Sequence, residues 1–433
     1  MPDQHTAIIL LFSVFGILLV LRVPIAFTLA VSSIVTAAYL KIPLLIISQQ
    51  MVRGVNSFAL LAIPFFIISG ELMGEGGISK RLIEFSNIFV GRLRGGLALV
   101  NVLASMFFGG ISGSAVADAS SIGSIMIPMM KKKGYDTDYS VGVTITGACQ
   151  GVLIPPSHNM IIYSVAAGGV SVGALFLAGF VPGILLGVGL MISSFVIAVH
   201  RNYPKGEKVS FNEALKCTRD AVWGLFTAVI IVGGVLGGIF TATESAAIAC
   251  VYAFCVTFFV YREIPLSRMT KILYSSLKTL AMVMTLIATA NAFGYLLAYL
   301  KIPTYATNAL LSVSDNKAVI LFLINVLLLG LGCIMDMAPL IVICTPILMP
   351  VMMKLGVHPV HFGVILILNL AVGLCTPPVG SALFVGCAVG KISMEQMTKA
   401  LLPFFFTMIA VLMLVTYAPD LILFIPNYFM GAK

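Results

Sequence analysis

Two aspartates sit where aspartates are costly. Asp118 closes the run Gly113-Ser114-Ala115-Val116-Ala117-Asp118, and Asp336 closes Gly332-Cys333-Ile334-Met335-Asp336, each inside a long apolar stretch. An ionisable side chain at such a place serves an ion path, a partner or a helix cap. Small and hydroxyl residues surround both. Ser112, Gly113 and Ser114 stand beside the first, with Ser120, Ser121 and Ser124 further on; Met335, Thr345 and Pro346 stand near the second. Each group is followed by a proline pair. Pro155-Pro156 is flanked by Ser157, His158 and Asn159, and Pro377-Pro378 by Thr376, Gly380 and Ser381. Two adjacent prolines remove two backbone donors and break a helix. The carbonyls they free need a partner at membrane depth. A small cation such as sodium can be that partner, and the free N–H groups of the other half-helix suit an anion. This is the chemistry of binding, not of bond making.

The plainer roles of these residues are capping for the aspartates, close helix packing for the serines and a packed hydrogen bond for His158. Glu71, Glu75 and Glu244 lie near segment ends and read as solvated or pairing with a neighbouring arm. An intramembrane aspartyl protease would need two carboxylates sharing a proton. Neither the SAVAD run at Asp118 nor the CIMD run at Asp336 has the GxGD context of such enzymes, so no catalytic residue is expected. A channel needs an open pore, usually with symmetric subunits, and nothing in these runs points to one.

The elements that must position these residues are membrane helices. The chain of 433 residues is 60% hydrophobic and 9% charged, and its mean hydropathy is +1.10. A soluble domain carries about 25% charged residues, and one bilayer span takes about 20 apolar ones. Apolar segments fall near 6–22, 24–41, 57–74, 98–130, 140–168, 174–200, 221–240, 243–261, 275–300, 318–352, 360–390 and 400–425. The first has no basic region before it, so a retained helix is expected and not a signal peptide. The net charge of +9 comes from basic residues in short loops, as the positive-inside rule describes. There is no basic stripe with interleaved aromatics, which argues against a nucleic-acid partner. The eight cysteines form no CxxC pair.

An internal repeat organises the segments. A shift of 222 residues carries Pro128 to Pro350, Gly134 to Gly356, Gly151 to Gly373, Pro155-Pro156 to Pro377-Pro378 and Gly168 to Gly390. Segments 98–130 and 318–352 are too long for one span and too short for two, so each reads as a re-entrant helical hairpin. Placing Lys131–Lys133, the central loop with Arg201, Lys205, Lys208, Lys216 and Arg219, and the loop with Arg262, Arg268 and Lys271 on the cytoplasmic side is self-consistent. The first hairpin then enters from inside and the second from outside, and both termini lie outside. Residues 79–97 read as an amphipathic arm on the inner surface. The expected fold is an all-α polytopic membrane protein of two inverted repeats, 1–205 and 220–433, joined by a cytoplasmic linker at 206–219. Each repeat has a hairpin and a proline-broken helix, an architecture of secondary transporters.

Several of these runs together resemble a known family. They are GSAVAD (113–118), IPPS (154–157), MDMAPLIVICTPILMP (335–350) and TPPVG (376–380), with SFALLAIPFFIISGELM (57–73) and TATESAA (241–247) upstream. They resemble the large membrane subunit, or M component, of TRAP transporters, the DctM family of the ion-transporter superfamily. The resemblance spans nearly the whole chain and implies an elevator-type transport domain on a scaffold in the bacterial inner membrane. It implies a small Q subunit as a separate polypeptide, a periplasmic binding protein (P component) that delivers an organic acid, and a sodium gradient as driving force, with no other cofactor. The absence of a GxxxxGK[ST] loop agrees with transport that does not use ATP. By motif, the first sodium site would use Ser112, Gly113, Ser114, Pro155 and Ser157. The second would use Met335, Asp336, Gly373, Thr376 and Pro378. Asp118 would steady the first hairpin, and the substrate would lie near Ser157, His158, Asn159 and Gly380. Sialic acid is the first expectation for that substrate and a C4-dicarboxylate the second. A stand-alone sodium/dicarboxylate symporter is the competing reading within transporters.

Overall fold

The computed structural model describes residues 3–314, 316–378 and 380–431, and no β-strand occurs among them. Ten helices fill the first half: α1 (Gln4–Val20), α2 (Ile25–Tyr39), α3 (Leu44–Val55), α4 (Ala62–Glu75), α5 (Ile78–Val90), α6 (Gly96–Ser112), α7 (Ala115–Lys132), α8 (Thr137–Gly151), α9 (His158–Ala166) and α10 (Val172–His200). Ten more fill the second: α11 (Phe211–Leu236), α12 (Ala242–Cys255), α13 (Met269–Tyr299), α14 (Ile302–Val313), α15 (Lys317–Gly332), α16 (Met337–Lys354), α17 (Pro359–Gly373), α18 (Ser381–Gly390), α19 (Met394–Tyr417) and α20 (Pro419–Met430).

Adding 222 to the bounds of α7 gives 337–354, the bounds of α16, and adding it to those of α8 gives 359–373, the bounds of α17. The same shift places α5 over 300–312, beside α14, so the first arm has a second-half counterpart that hydropathy alone does not pick out. The caps explain the matching starts. Ser114 is extended and its side chain accepts from the Ala117 amide (3.4 Å), while its shifted equivalent, Asp336, is the extended residue before α16. Gly113 ends α6 with φ of +61°, which only glycine adopts at little cost.

Segments 98–130, 140–168, 318–352 and 360–390 each resolve into two helices at the expected break. Segment 400–425 divides at Ala418, because Pro419 begins α20 as a new helix. Helix α11 begins at Phe211, inside the stretch read as a linker. Glu213, Lys216, Arg219 and Asp220 hide its first turns from hydropathy, and a Ser210–Glu213 capping box starts it. Glu244 forms a second box with Thr241, and Glu75 pairs with Arg268 at 3.3 Å.

Seven helical stretches among the described residues are long and apolar enough to cross a bilayer, and the chain is a multi-pass membrane protein. Large apolar side chains face outward, among them Val20, Leu45 and Phe211, as lipid contact requires. The helix contacts fall into two sets. α1 to α4 pack with α11 to α13, whereas α6 to α9 and α15 to α18 pack with one another and against α10 and α19. The arms α5 and α14 bridge the sets, α5 touching α6 and α11 and α14 touching α13 and α16, and the sets also meet directly where α4 packs on α6 and α9 and where α13 packs on α16.

Candidate functional site: two hairpin tips against two broken helices

The first hairpin is held against the first broken helix by glycines. A methyl group added at Gly109 on α6 would fall 2.6 Å from the carbonyl carbon and oxygen of Gly151 on α8. No side chain fits there, so the two backbones cross in contact. One turn on, a methyl at Gly113 would lie 3.0 Å from the Pro156 carbonyl oxygen and 3.2 Å from Ser157 Cα. A methyl at Gly110 would lie 3.4 Å from the Pro155 carbonyl oxygen. The hairpin tip therefore rests on the proline break itself. The Pro155 and Pro156 carbonyls lie at this contact with Ser157 just after the break, while Ser112 and Ser114 flank the tip, their hydroxyls accepting from the Ser114 and Ala117 amides.

Two buried oxygens here lack partners among the described residues. Ser157 is fully buried and its hydroxyl makes no hydrogen bond. Asp118 is also fully buried. Its Oδ1 accepts from the Ser105 hydroxyl on α6 (3.2 Å), tying α7 to α6 across the hairpin, while its Oδ2 has no partner. A buried unsatisfied oxygen costs about 1–3 kcal/mol, so such groups call for an occupant. No cluster of three His, Cys, Asp or Glu able to hold a metal occurs among the described residues. The donors at the tip are neutral carbonyl and hydroxyl oxygens, which suit a hard monovalent cation.

The second site repeats the plan with different chemistry. A methyl at Gly373 on α17 would lie 2.8 Å from Gly332 Cα on α15, so these helices also cross through glycine. Gly380 is buried, and a methyl there would lie 2.9 Å from both the Leu374 and the Thr376 carbonyl oxygens. The Thr376 hydroxyl donates to the Val372 carbonyl (2.8 Å). Met335 is buried, but Asp336 is exposed and accepts from the Ser381 hydroxyl at 3.0 Å. That contact joins the second hairpin tip to the half-helix after the second break. Pro378 is exposed.

The two sites interlock. α7 of the first hairpin packs on α18 beyond the second break, and α16 of the second hairpin packs on α9 beyond the first. The Tyr163 hydroxyl on α9 donates to the Pro359 carbonyl (2.6 Å), adding a tie between halves. His158 and Asn159 form the first turn of α9, His158 partly accessible and Asn159 buried. Sequence reasoning missed Ser105 and the Gly109–Gly151 and Gly332–Gly373 crossings. A glycine's contact partner has no signature in the linear chain, although the shift of 222 does carry Gly151 onto Gly373.

A helical membrane protein with paired hairpins and paired helix breaks belongs to the class of secondary transporters. The chain belongs to the family described as the tripartite ATP-independent periplasmic transporter, DctM component, which it matches over residues 12–421. It is 43% identical to the uncharacterized protein YgiK of Salmonella typhimurium over 98% of both chains. It is 40% identical to the sialic acid TRAP transporter large permease protein SiaM of Vibrio cholerae, covering 89% of this chain and 90% of that one. Other relatives are named as permeases for C4-dicarboxylate (Rhodobacter capsulatus, 36% identical), 2,3-diketo-L-gulonate (Escherichia coli, 36%) and isethionate (Oleidesulfovibrio alaskensis, 40%). Among solved structures, the YdaH transporter of Alcanivorax borkumensis superposes with a TM-score of 0.63 over 86% of this chain and 87% of that one, at 15% identity, a likeness of fold.

Proposed function

We propose that this large permease subunit imports an organic acid in symport with sodium, and that the two hairpin-tip sites bind the coupling ions. The observation that carries the reading is the contact of the Gly113 tip with the Pro156 carbonyl, beside the buried and unpartnered Ser157 hydroxyl. A sodium ion bound there would accept the freed carbonyls of the break and would glue hairpin to helix. The second site would use Met335, Asp336, Gly373, Thr376 and Pro378 in the same way, with Asp118 steadying the first hairpin. Substrate would bind between the tips near Ser157, His158, Asn159 and Gly380, where the free amides at the start of α9 favour an anion.

The inverted repeats 1–205 and 220–433, with 206–219 between them, would supply two pseudo-equivalent conformations. The hairpin set of helices would slide as an elevator against the set formed by α1 to α4 and α11 to α13. The bacterial inner membrane is the proposed location, with both termini outside. The proposed partners are a small Q subunit and a periplasmic binding protein. A relative named DctMQ supports the pairing with the small subunit, since this chain covers 66% of its length. Sialic acid is the first substrate to test and a C4-dicarboxylate the second.

Uptake of labelled sialic acid and succinate into proteoliposomes holding this chain, its small subunit and its binding protein tests the reading. The expected result is uptake that needs both the sodium gradient and the binding protein, and that falls in Asp118→Ala and Asp336→Ala. Uptake indifferent to sodium overturns the ion sites. Uptake without the binding protein places the chain with stand-alone symporters.

A further inference from the structure

A cavity of about 360 Å³ at the arm end of the molecule is lined by Glu84, Glu213, Lys216 and Asp220, charges that a solvated surface needs in any case. A second cavity, of about 340 Å³, is different in kind. It lies between the two sets of helices. Gln50 and Arg53 of α3 and Asn291, Gly294 and Tyr295 of α13 form one wall, while Ile162 and Ala166 of α9 and Val342 and Pro346 of α16 form part of the other. The volume suits a small organic acid.

The first wall is rigid and polar. A methyl at Gly54 would fall 2.5 Å from Asn291 Cβ and 3.3 Å from the Ile287 carbonyl, so α3 and α13 are locked side by side there. The second wall is apolar and belongs to α9, which carries His158 and Asn159, and to α16 of the second hairpin. Ile162 stands three residues after Asn159 and four after His158, so the three share one face of α9 about one turn apart. The cavity therefore begins one helical turn from the proposed substrate position. Its cation, Arg53, is exposed at the cavity and, like Arg22 and Arg92, makes no ion pair or side-chain hydrogen bond among the described residues, so its guanidinium is free to meet a ligand. A guanidinium presents a planar fork that matches a carboxylate or sulfonate with two parallel bonds.

We propose that Arg53 is an anion-capture residue, and that this cavity is a waiting site from which the acid group of the cargo passes to the sites at the breaks. The inference rests on the reading that the cargo is an organic anion. Gln50 and Asn291 supply neutral hydrogen bonds beside the fork, and the apolar face of α9 and α16 lets the cargo leave once its charge moves on. Arg53 raises the local anion concentration and adds nothing to ion coordination, so its loss acts on KM and not on kcat.

The test uses the full complex in proteoliposomes, with initial rates for sialic acid, succinate and isethionate at low and high ionic strength. Arg53→Ala is expected to raise KM by about tenfold at low salt with kcat within about twofold, as expected for a rim charge that acts on the capture step. Arg53→Lys restores the salt-sensitive, long-range part of the loss but not the part that needs the two-bond fork, and added salt narrows the gap between wild type and Arg53→Ala because screening removes the long-range part. The sodium concentration for half-maximal rate stays that of wild type. A KM unchanged in Arg53→Ala, for an anion that wild type transports, overturns the capture role while leaving the permease reading in place. A fall in kcat that salt and the Lys variant do not alter also overturns it, since that marks a structural role. Wild type that transports none of the three anions removes the cargo reading and the inference with it.

Discussion

Replacing Gly109 with alanine tests whether the ion site depends on backbone contact between hairpin and broken helix. The added methyl would lie 2.6 Å from both the carbonyl carbon and the oxygen of Gly151. Gly151 Cα lies closer still, and comfortable carbon contacts begin at ~3.5 Å, so α6 and α8 must part by more than about 1 Å. Neither atom of Gly151 can rotate away, because both are backbone. Overpacking of this kind costs typically about 1–3 kcal/mol. The functional loss should be larger than the stability loss. Ser112 and Gly113 follow Gly109 by three and four residues, so a retreat of α6 carries the tip off the Pro156 carbonyl. A displacement of about 1 Å is enough to lose a positioned constellation, with about 100-fold effects known for such shifts. Gly151→Ala is the internal comparison. Its methyl meets Gly109 Cα at 3.0 Å and Asp118 Oδ2 at 3.1 Å, contacts that a few tenths of an ångström relieve. Gly16→Ala is the control, with nothing within 4 Å. The assay is the initial uptake rate against sodium concentration, paired with thermal unfolding of the purified complex. The expected order of the sodium requirement is Gly109→Ala far above Gly151→Ala, and Gly16→Ala equal to wild type. If Gly109→Ala keeps the wild-type sodium curve, the tip does not depend on the crossing and the reasoning is wrong.

Ser157→Ala removes a buried hydroxyl that has no partner. Thermal stability in sodium-free buffer should hold or rise slightly, while sodium affinity falls by about tenfold, the loss of roughly one ion ligand; calorimetry with and without sodium separates the two effects. A double-mutant cycle of Asp336→Ala and Ser381→Ala should show coupling of about 1 kcal/mol, because each single change removes the same 3.0 Å bond; additive losses in melting experiments would count against the contact. At the end of α10, the Tyr203 hydroxyl donates to Asp136 (2.6 Å) and Arg201 pairs with the same carboxylate at 2.9 Å. The Tyr203 bond first, and Arg201 after it, hold the Asp136 carboxyl below its usual range. A depressed carboxylate stabilises the fold above its unfolded pKa, and that stability is lost as pH falls through the folded value. Tyr203→Phe should therefore lower stability at neutral pH and converge on wild type below about pH 4, so that the acid limb of the melting curve flattens; a neutral-pH stability and acid limb both equal to wild type would refute it.

The linear chain determined the membrane, the repeat and the breaks. Those follow from hydropathy and from Gly and Pro, whose backbone constraints act locally, so Pro155-Pro156 and Pro377-Pro378 mark broken helices wherever they pack. The arm α14 and helix α3 escaped notice because their polar residues dilute the apolar signal over only 12 residues each. The contrast between Asp118 and Asp336 was likewise hidden. Both stand in apolar runs, yet one is fully buried against Ser105 and the other is exposed beside Ser381. Which face of a helix meets which neighbour is set by packing between elements hundreds of residues apart. For the same reason only the tertiary structure could bring Gly109 to Gly151, seat the Gly113 tip on the Pro156 carbonyl, and leave Arg53 without an ion pair in a cavity between two sets of helices.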